Sequence, residues 1–134
     1  MLLLNPRTVK FGDSVWDDVT AVAIDREPER LVLEWSEFGP HVVLADVPQQ
    51  KATLRVVQTV ARDDVNAPRP GDEGTVEFFT SPASGSAGRK RVSAPAVITE
   101  VTHELSLRGG AVRRVAMIAV SPTGAADPIS VTEA

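Results

Sequence analysis

The chain is 134 residues long with a formal charge of −4, 43% hydrophobic and 24% charged residues, proportions that fit a single globular core and exclude the polar, highly charged signature of disorder. No apolar run approaches the roughly 18 residues of a membrane span, and Leu2–Leu4 stops at Asn5-Pro6, too early for a signal-peptide core. The absence of cysteine excludes a disulfide framework, a thiolate metal site and a cysteine nucleophile.

The composition favours strands. Twenty Val, four Ile and ten Thr stand against nine Leu, and ten Pro and nine Gly punctuate the chain as turns do in an all-β sandwich or barrel. The reading is one all-β domain spanning 1–134, a β-sandwich or barrel of about seven to eight strands with long loops and at most one short helix.

In chain order, residues 1–14 read as an extended N-terminal arm. Val15 to Asp25 alternates as a strand, as does Arg30 to Ser36, which runs into the breaker Phe38-Gly39-Pro40 before His41 to Val47 returns. Ala52 to Ala61 sets Leu54, Val56, Gln58 and Val60 on one face and Thr53, Arg55, Val57 and Thr59 on the other. A helix over Gln49 to Ala61 is the alternative, but its β-branched residues lose side-chain freedom in a helix, so the strand is preferred. Residues 62–74 and 81–90 are polar or small and rich in breakers, and read as two long surface loops. Between them Thr75 to Thr80 is a strand. Arg91 to Leu107 and Ala111 to Ser121 form a hairpin about Gly109-Gly110, and Pro128 to Thr132 closes the chain as a last short strand.

Enzymatic constellations are weak. His41 and His103 lie on different strands without metal-ligand spacing, and no Gly-x-Ser-x-Gly surrounds Ser84 or Ser86. The neighbours Asp17-Asp18 and Asp63-Asp64 point to opposite faces if extended, which suits solvated carboxylates better than an acid/base pair. Gly85-x-x-Gly88-Arg89-Lys90-Arg91 lacks the spacing and the Lys-Ser/Thr of a phosphate loop. The reading is therefore a non-enzyme with no cofactor and no metal.

Charge is uneven. Residues 1–67 carry 7 Lys/Arg against 11 Asp/Glu, whereas Arg89 to Arg114 holds six basic residues against Glu100 and Glu104. The basic stretch has no interleaved aromatic ring, which argues against nucleic-acid recognition by stacking. An acidic half opposed to a basic stretch suits contact between unlike surfaces of identical copies, the geometry that builds rings and filaments. Candidate inter-subunit residues are Asp63, Asp64, Arg69, Arg89, Lys90, Arg91, Arg113 and Arg114.

The second half also resembles a known family. Gly74-Thr75-Val76-Glu77-Phe78-Phe79, then Arg91 to Val101, His103-Glu104-Leu105-Ser106, the Gly109-Gly110 turn, Val112 to Val120 and the closing Pro128-Ile129-Ser130-Val131 are similar in order and pattern to the tail tube proteins of long-tailed bacteriophages, related in fold to the type VI secretion tube protein. That resemblance implies a β-sandwich closing six to a ring, one sheet of each subunit forming a continuous inner barrel, and rings stacked into a virion tube that conducts the genome. The implied partners are other copies of the chain and further tail proteins such as sheath, tape measure, baseplate and terminator. DNA would pass without specific binding, no membrane is involved, and assembly would take place in the host cytoplasm. A hexamer would carry about −24 formal charges, and an acidic wall repels DNA where a basic one grips it. Glu34, Glu77, Glu100 and Glu104 are the lumen candidates. The alternatives are another tail or baseplate ring protein, or a non-catalytic β-sandwich binding module.

Overall fold

The computed structural model describes residues 2–4, 7–61, 65–66, 68–80, 89–106 and 110–133, the first three by backbone alone. Among them are nine strands and no helix: β1 (Leu2–Leu4), β2 (Val9–Phe11), β3 (Ser14–Trp16), β4 (Val19–Trp35), β5 (Val42–Val60), β6 (Glu73–Phe79), β7 (Lys90–Ser106), β8 (Gly110–Ala119) and β9 (Ser130–Glu133). The strands form one antiparallel sheet ordered β1-β4-β5-β8-β7-β6-β2-β3, with β9 added beside the start of β7.

A flat sheet in that order is impossible, because β3 at one end is joined to β4 near the other by Asp17 and Asp18 alone. The sheet therefore rolls onto itself. Thr59 donates its backbone N–H to Asp18, Val19 donates to Arg7, and Asp18 takes a left-handed φ of 56° to make the two-residue link. Asp is among the few residues that tolerate this conformation.

Rolling encloses one face of every strand. Val22 and Ile24 from β4, Leu54 and Val56 from β5, Val115 and Met117 from β8, Ala94, Ala96 and Ile98 from β7, Val76 and Phe78 from β6, and Val9, Phe11 and Trp16 from β2 and β3 form one continuous core. The register matches like with like across the sheet: Val22 opposes Val56, Val56 opposes Val115, and Val115 opposes Val101. A one-residue slip would turn each of these to solvent, so burial pins the pairing.

Strand β7 is the hinge of the architecture. Its first half, 91–97, pairs with β6, and its second half, 96–106, pairs with β8 on the other side, with a bulge between Ile98 and Glu100 where the chain passes from one half of the roll to the other. One half is β4-β5-β8-β7 and the other is β7-β6-β2-β3 with β9.

Two expectations from the sequence are corrected. The N-terminal 1–14 is not a free arm: β1 pairs with β4, β2 pairs with β6, and Val9 and Phe11 are buried. The separate strands 15–25 and 30–36 are β3 plus one long β4, and 41–47 with 52–61 are one long β5, because Pro28 and Pro48 are absorbed where the β4–β5 register shifts. The all-β reading holds, with nine strands among the described residues, the three-residue ones being too short a pattern to read from sequence. The β7–β8 hairpin appears as read, with Gly110 at a φ of 73°, whereas Gly109 lies outside the described residues. So do residues 62–64 and 81–88 of the two long loops, while Glu73, Gly74 and Lys90 belong to strands.

Candidate assembly surfaces and the charged sheet face

Three features of the surface stand out: a projecting arm, two open strand edges and a sheet face with organised charge.

The arm is the far part of the β4–β5 hairpin. Strand β1 covers β4 only at Val22–Ile24, and β8 covers β5 only over Thr53–Val60, so residues 26–52 form a two-stranded ribbon with no third strand among the described residues. Ten residues from Arg26 to Trp35 reach roughly 30 Å at strand rise. Leu31, Leu33, Trp35, Phe38, Val42, Val43, Leu44 and Val47 are all exposed along it, Phe38 at 97%. Leu33 faces Ala45 and Trp35 faces Val42, while Glu34 faces Leu44 and Val32 faces Asp46. A lone ribbon is at best marginally stable in water, and an apolar patch of this extent is the mark of an interface.

The open edges belong to the β4-β5-β8-β7 half. Beyond Ile24, no described strand pairs with β4 on the side away from β5. Beyond Ile98, whose backbone is held by Gly71 and Asp72, no described strand pairs with β7 on the side away from β8. These unlike edges lie on opposite sides of a four-stranded sheet whose strands alternate in direction, so copies joined edge to edge continue the antiparallel order.

The outward face of this same half carries rows of small residues and charges. Across the four strands run Ala23, Arg55, Ala116 and Glu100, and beside them Ala21, Val57, Arg114 and Thr102. They line a shallow depression of about 340 Å³. Arg55 Nη1 lies 2.5 Å from Asp25 Oδ2, whose side chain is 7% exposed, and Arg114 Nη1 lies 3.6 Å from Glu104 Oε2. Further toward the arm, Lys51 Nζ is 3.4 Å from Glu29 Oε2.

The four glutamates proposed from sequence are not brought together. Glu100 and Glu104 share this face, Glu34 stands on the arm, and Glu77 is on β6 in the other half, 3.5 Å from Arg91 Nε. Asp25 was missed. Its alternation with Ala21 and Ala23 placed it on this face, but without the β5 register nothing joined it to Arg55.

The inter-subunit candidates also scatter. Asp63 and Asp64 lie outside the described residues. Arg69 is engaged locally, its backbone N–H donating to Asp72 and its Nε to the Asn66 carbonyl. The Arg89 guanidinium lies 3.9 Å over the Phe79 ring, flanked by Arg91 at 5.5 Å, and the Lys90 backbone N–H donates to Thr80 Oγ1. Arg114 is on the charged face just described. Arg113 is the correction: it points into the roll, is 4% exposed, and cannot serve as a surface cation. Its Nη2 donates to Gln58 Oε1, and its guanidinium lies 5.4 Å from the Trp16 ring centroid, which in turn stacks on Phe11. Among the described residues no cluster of three metal-ligating side chains occurs; His103 faces Arg113 across the strands and His41 sits at the start of the returning arm strand.

No known family profile matches the chain, and no curated protein matches it in sequence. In fold it is similar to a chain of the tail of an empty gene transfer agent particle, determined by helical refinement with C6 symmetry: the TM-score is 0.57 at 15% identity, over 93% of this chain and 94% of that one. The likeness therefore spans the rolled sheet from end to end, and it is to a component of a phage-like tail.

Proposed function

We propose that this chain is a structural, non-catalytic tail protein of a phage-like particle, and that it polymerises as hexameric rings stacked into a tube through which DNA passes. The observation that carries the reading is the fold likeness over nearly the whole of both chains to a component of a C6-symmetric tail. The surfaces support it physically.

Edge-to-edge joining of the β4-β5-β8-β7 half gives four strands per copy. Six copies supply twenty-four strands, which at about 4.8 Å spacing make a circumference of roughly 115 Å and a diameter of roughly 37 Å before strand tilt widens it. The free stretch of β4 lies further along the strand than that of β7, so closure needs a stagger, as tilted strands in any barrel do. The β7-β6-β2-β3 half must then lie outside the barrel, where the circumference has room for it. This turns the face bearing Arg55, Glu100, Glu104 and Arg114 inward. The arm, too apolar to stand free in water, is suited to reach a neighbouring copy and bury its ribbon there.

Negative-stain microscopy of the purified protein tests the proposal: rings or tubes with a central channel are expected. A mass fixed at one chain by light scattering across a wide concentration range, with no assemblies on the grid, would sink it.

A further inference from the structure

The cations of the inward-assigned face are not distributed as they are elsewhere on the molecule. On the body of the β4-β5-β8-β7 face both described cations, Arg55 and Arg114, have a carboxylate of the same face within 3.6 Å; further out on the arm Lys51 is paired with Glu29, whereas Arg30, opposite Gln49 on the same face, has no ion pair among the described residues. Elsewhere pairing is mixed: Arg26 and Arg91 have partners, whereas Lys10 and Lys90 have no ion pair among the described residues. On the body of the face the charges are Asp25, Glu100 and Glu104 against Arg55 and Arg114, and Glu100 has no ion-pair partner among the described residues.

The pairs have a particular build. Asp25 and Arg55 are diagonal neighbours across β4 and β5, and Glu104 and Arg114 are diagonal neighbours across β7 and β8, so each guanidinium is drawn sideways along the sheet. Arg55 reaches a largely buried carboxylate, which holds it more firmly than a solvated one would. Around them stand Ala21, Ala23, Ala116 and Thr102, short side chains that leave the guanidiniums as the tallest groups on the face. Unpaired, two such arginines per copy would meet a passing polyanion directly.

We propose that Asp25, Glu104 and Glu100 act as charge compensators that keep this face from binding nucleic acid, the first two by occupying Arg55 and Arg114 and the third by repulsion. The sheet then needs its arginines for cohesion between strands without presenting them to phosphate. This rests on the assignment of the face in the proposed tube, but it makes a claim about the folded chain that is testable apart from tube formation.

The test is retention of purified protein on immobilised duplex DNA at low salt, followed by a salt gradient. The compensator variant is Asp25→Asn/Glu100→Gln/Glu104→Gln. The control is Asp13→Asn/Glu73→Gln/Glu133→Gln, which makes the same change in net charge at exposed carboxylates that hold no cation among the described residues. The compensator variant is expected to be retained and to elute only as salt rises, while wild type and control pass through. For two newly exposed phosphate contacts the log of affinity should fall with log salt with a slope of about 1.8, and adding Arg55→Ala/Arg114→Ala should abolish retention.

Equal retention of the control would show that net charge alone is at work and overturn the inference, as would passage of the compensator variant with wild type. If Asp25→Asn lowers the melting temperature enough to spoil the protein, Glu100→Gln/Glu104→Gln against Glu73→Gln/Glu133→Gln carries the comparison at equal net charge, because all four residues are exposed and outside the core. Microscopy of the same preparations separates the two readings: face-specific retention without tubes keeps the compensators and removes the tube.

Discussion

Arg113 shows how a single residue is decided by parity. Ala111, Arg113, Val115, Met117 and Ala119 alternate into the roll, so a strand that begins among the basic residues carries one of them inside. The burial is tolerated because Gln58 accepts from the guanidinium while its own Nε2 donates to the Asp17 carbonyl at 2.8 Å, tying β5 and β8 to the link that closes the sheet. Gln58→Leu removes both bonds at once and is expected to cost about 1.5–3 kcal/mol, the range for a hydrogen bond to a buried charged group, read as a lower midpoint in urea unfolding. An unchanged midpoint would mean that Arg113 is held by its other contacts alone. At the link itself, Asp18 occupies the left-handed region, so Asp18→Val should lose about 1–2 kcal/mol while Asp18→Gly should be close to neutral, a contrast measurable by thermal melting.

At the scale of elements, the arm separates assembly from folding. Its large apolar residues are outside the core, so Trp35→Ser/Phe38→Ser should leave the melting temperature of the single chain within a degree or two and abolish higher assemblies in light scattering; assemblies that persist would show that the arm is not an interface. The β7–β8 hairpin was legible because alternation runs from Arg91 to Ile98, continues with shifted parity after the bulge, and resumes in β8 after a glycine at positive φ. The length of β4 and β5 was not legible, since a proline ordinarily ends a strand. Pro28 and Pro48 survive because each sits at a register shift of the β4–β5 ladder, where the regular hydrogen bonding is already interrupted. The short strands β1 to β3 were hidden for another reason: three residues show no period, and Val9 and Phe11 are buried by β6, a partner more than sixty positions away. Of the candidate site, Glu100 and Glu104 were placed together by their spacing on one strand, while Asp25 could be joined to Arg55 only by a cross-strand register that no local pattern encodes.

For the whole molecule, the rolled topology makes the body an all-or-none structure. Phe78 is 1% exposed and packs in the core beside residues of both halves, so Phe78→Ala is expected to cost about 3–5 kcal/mol and to unfold both halves together; separate transitions by two spectroscopic probes would refute the single core. The arm obeys a different clock. Its two strands are contiguous in sequence and meet through a short turn, a pairing of microseconds, whereas the roll closes only when β2 pairs with β6 and β5 with β8, partners more than fifty positions apart, which belongs to the slow regime of non-local sheets. A sticky ribbon is thus ready before the body that should carry it. Refolding yield should therefore fall as protein concentration rises, and a chain with residues 28–50 replaced by Asn-Gly between Glu27 and Lys51 should refold with a yield independent of concentration. In the proposed tube each chain would have to finish folding before its arm met another, so the order of these two events, and not affinity alone, would decide whether the ribbon ends in an ordered contact or in a tangle.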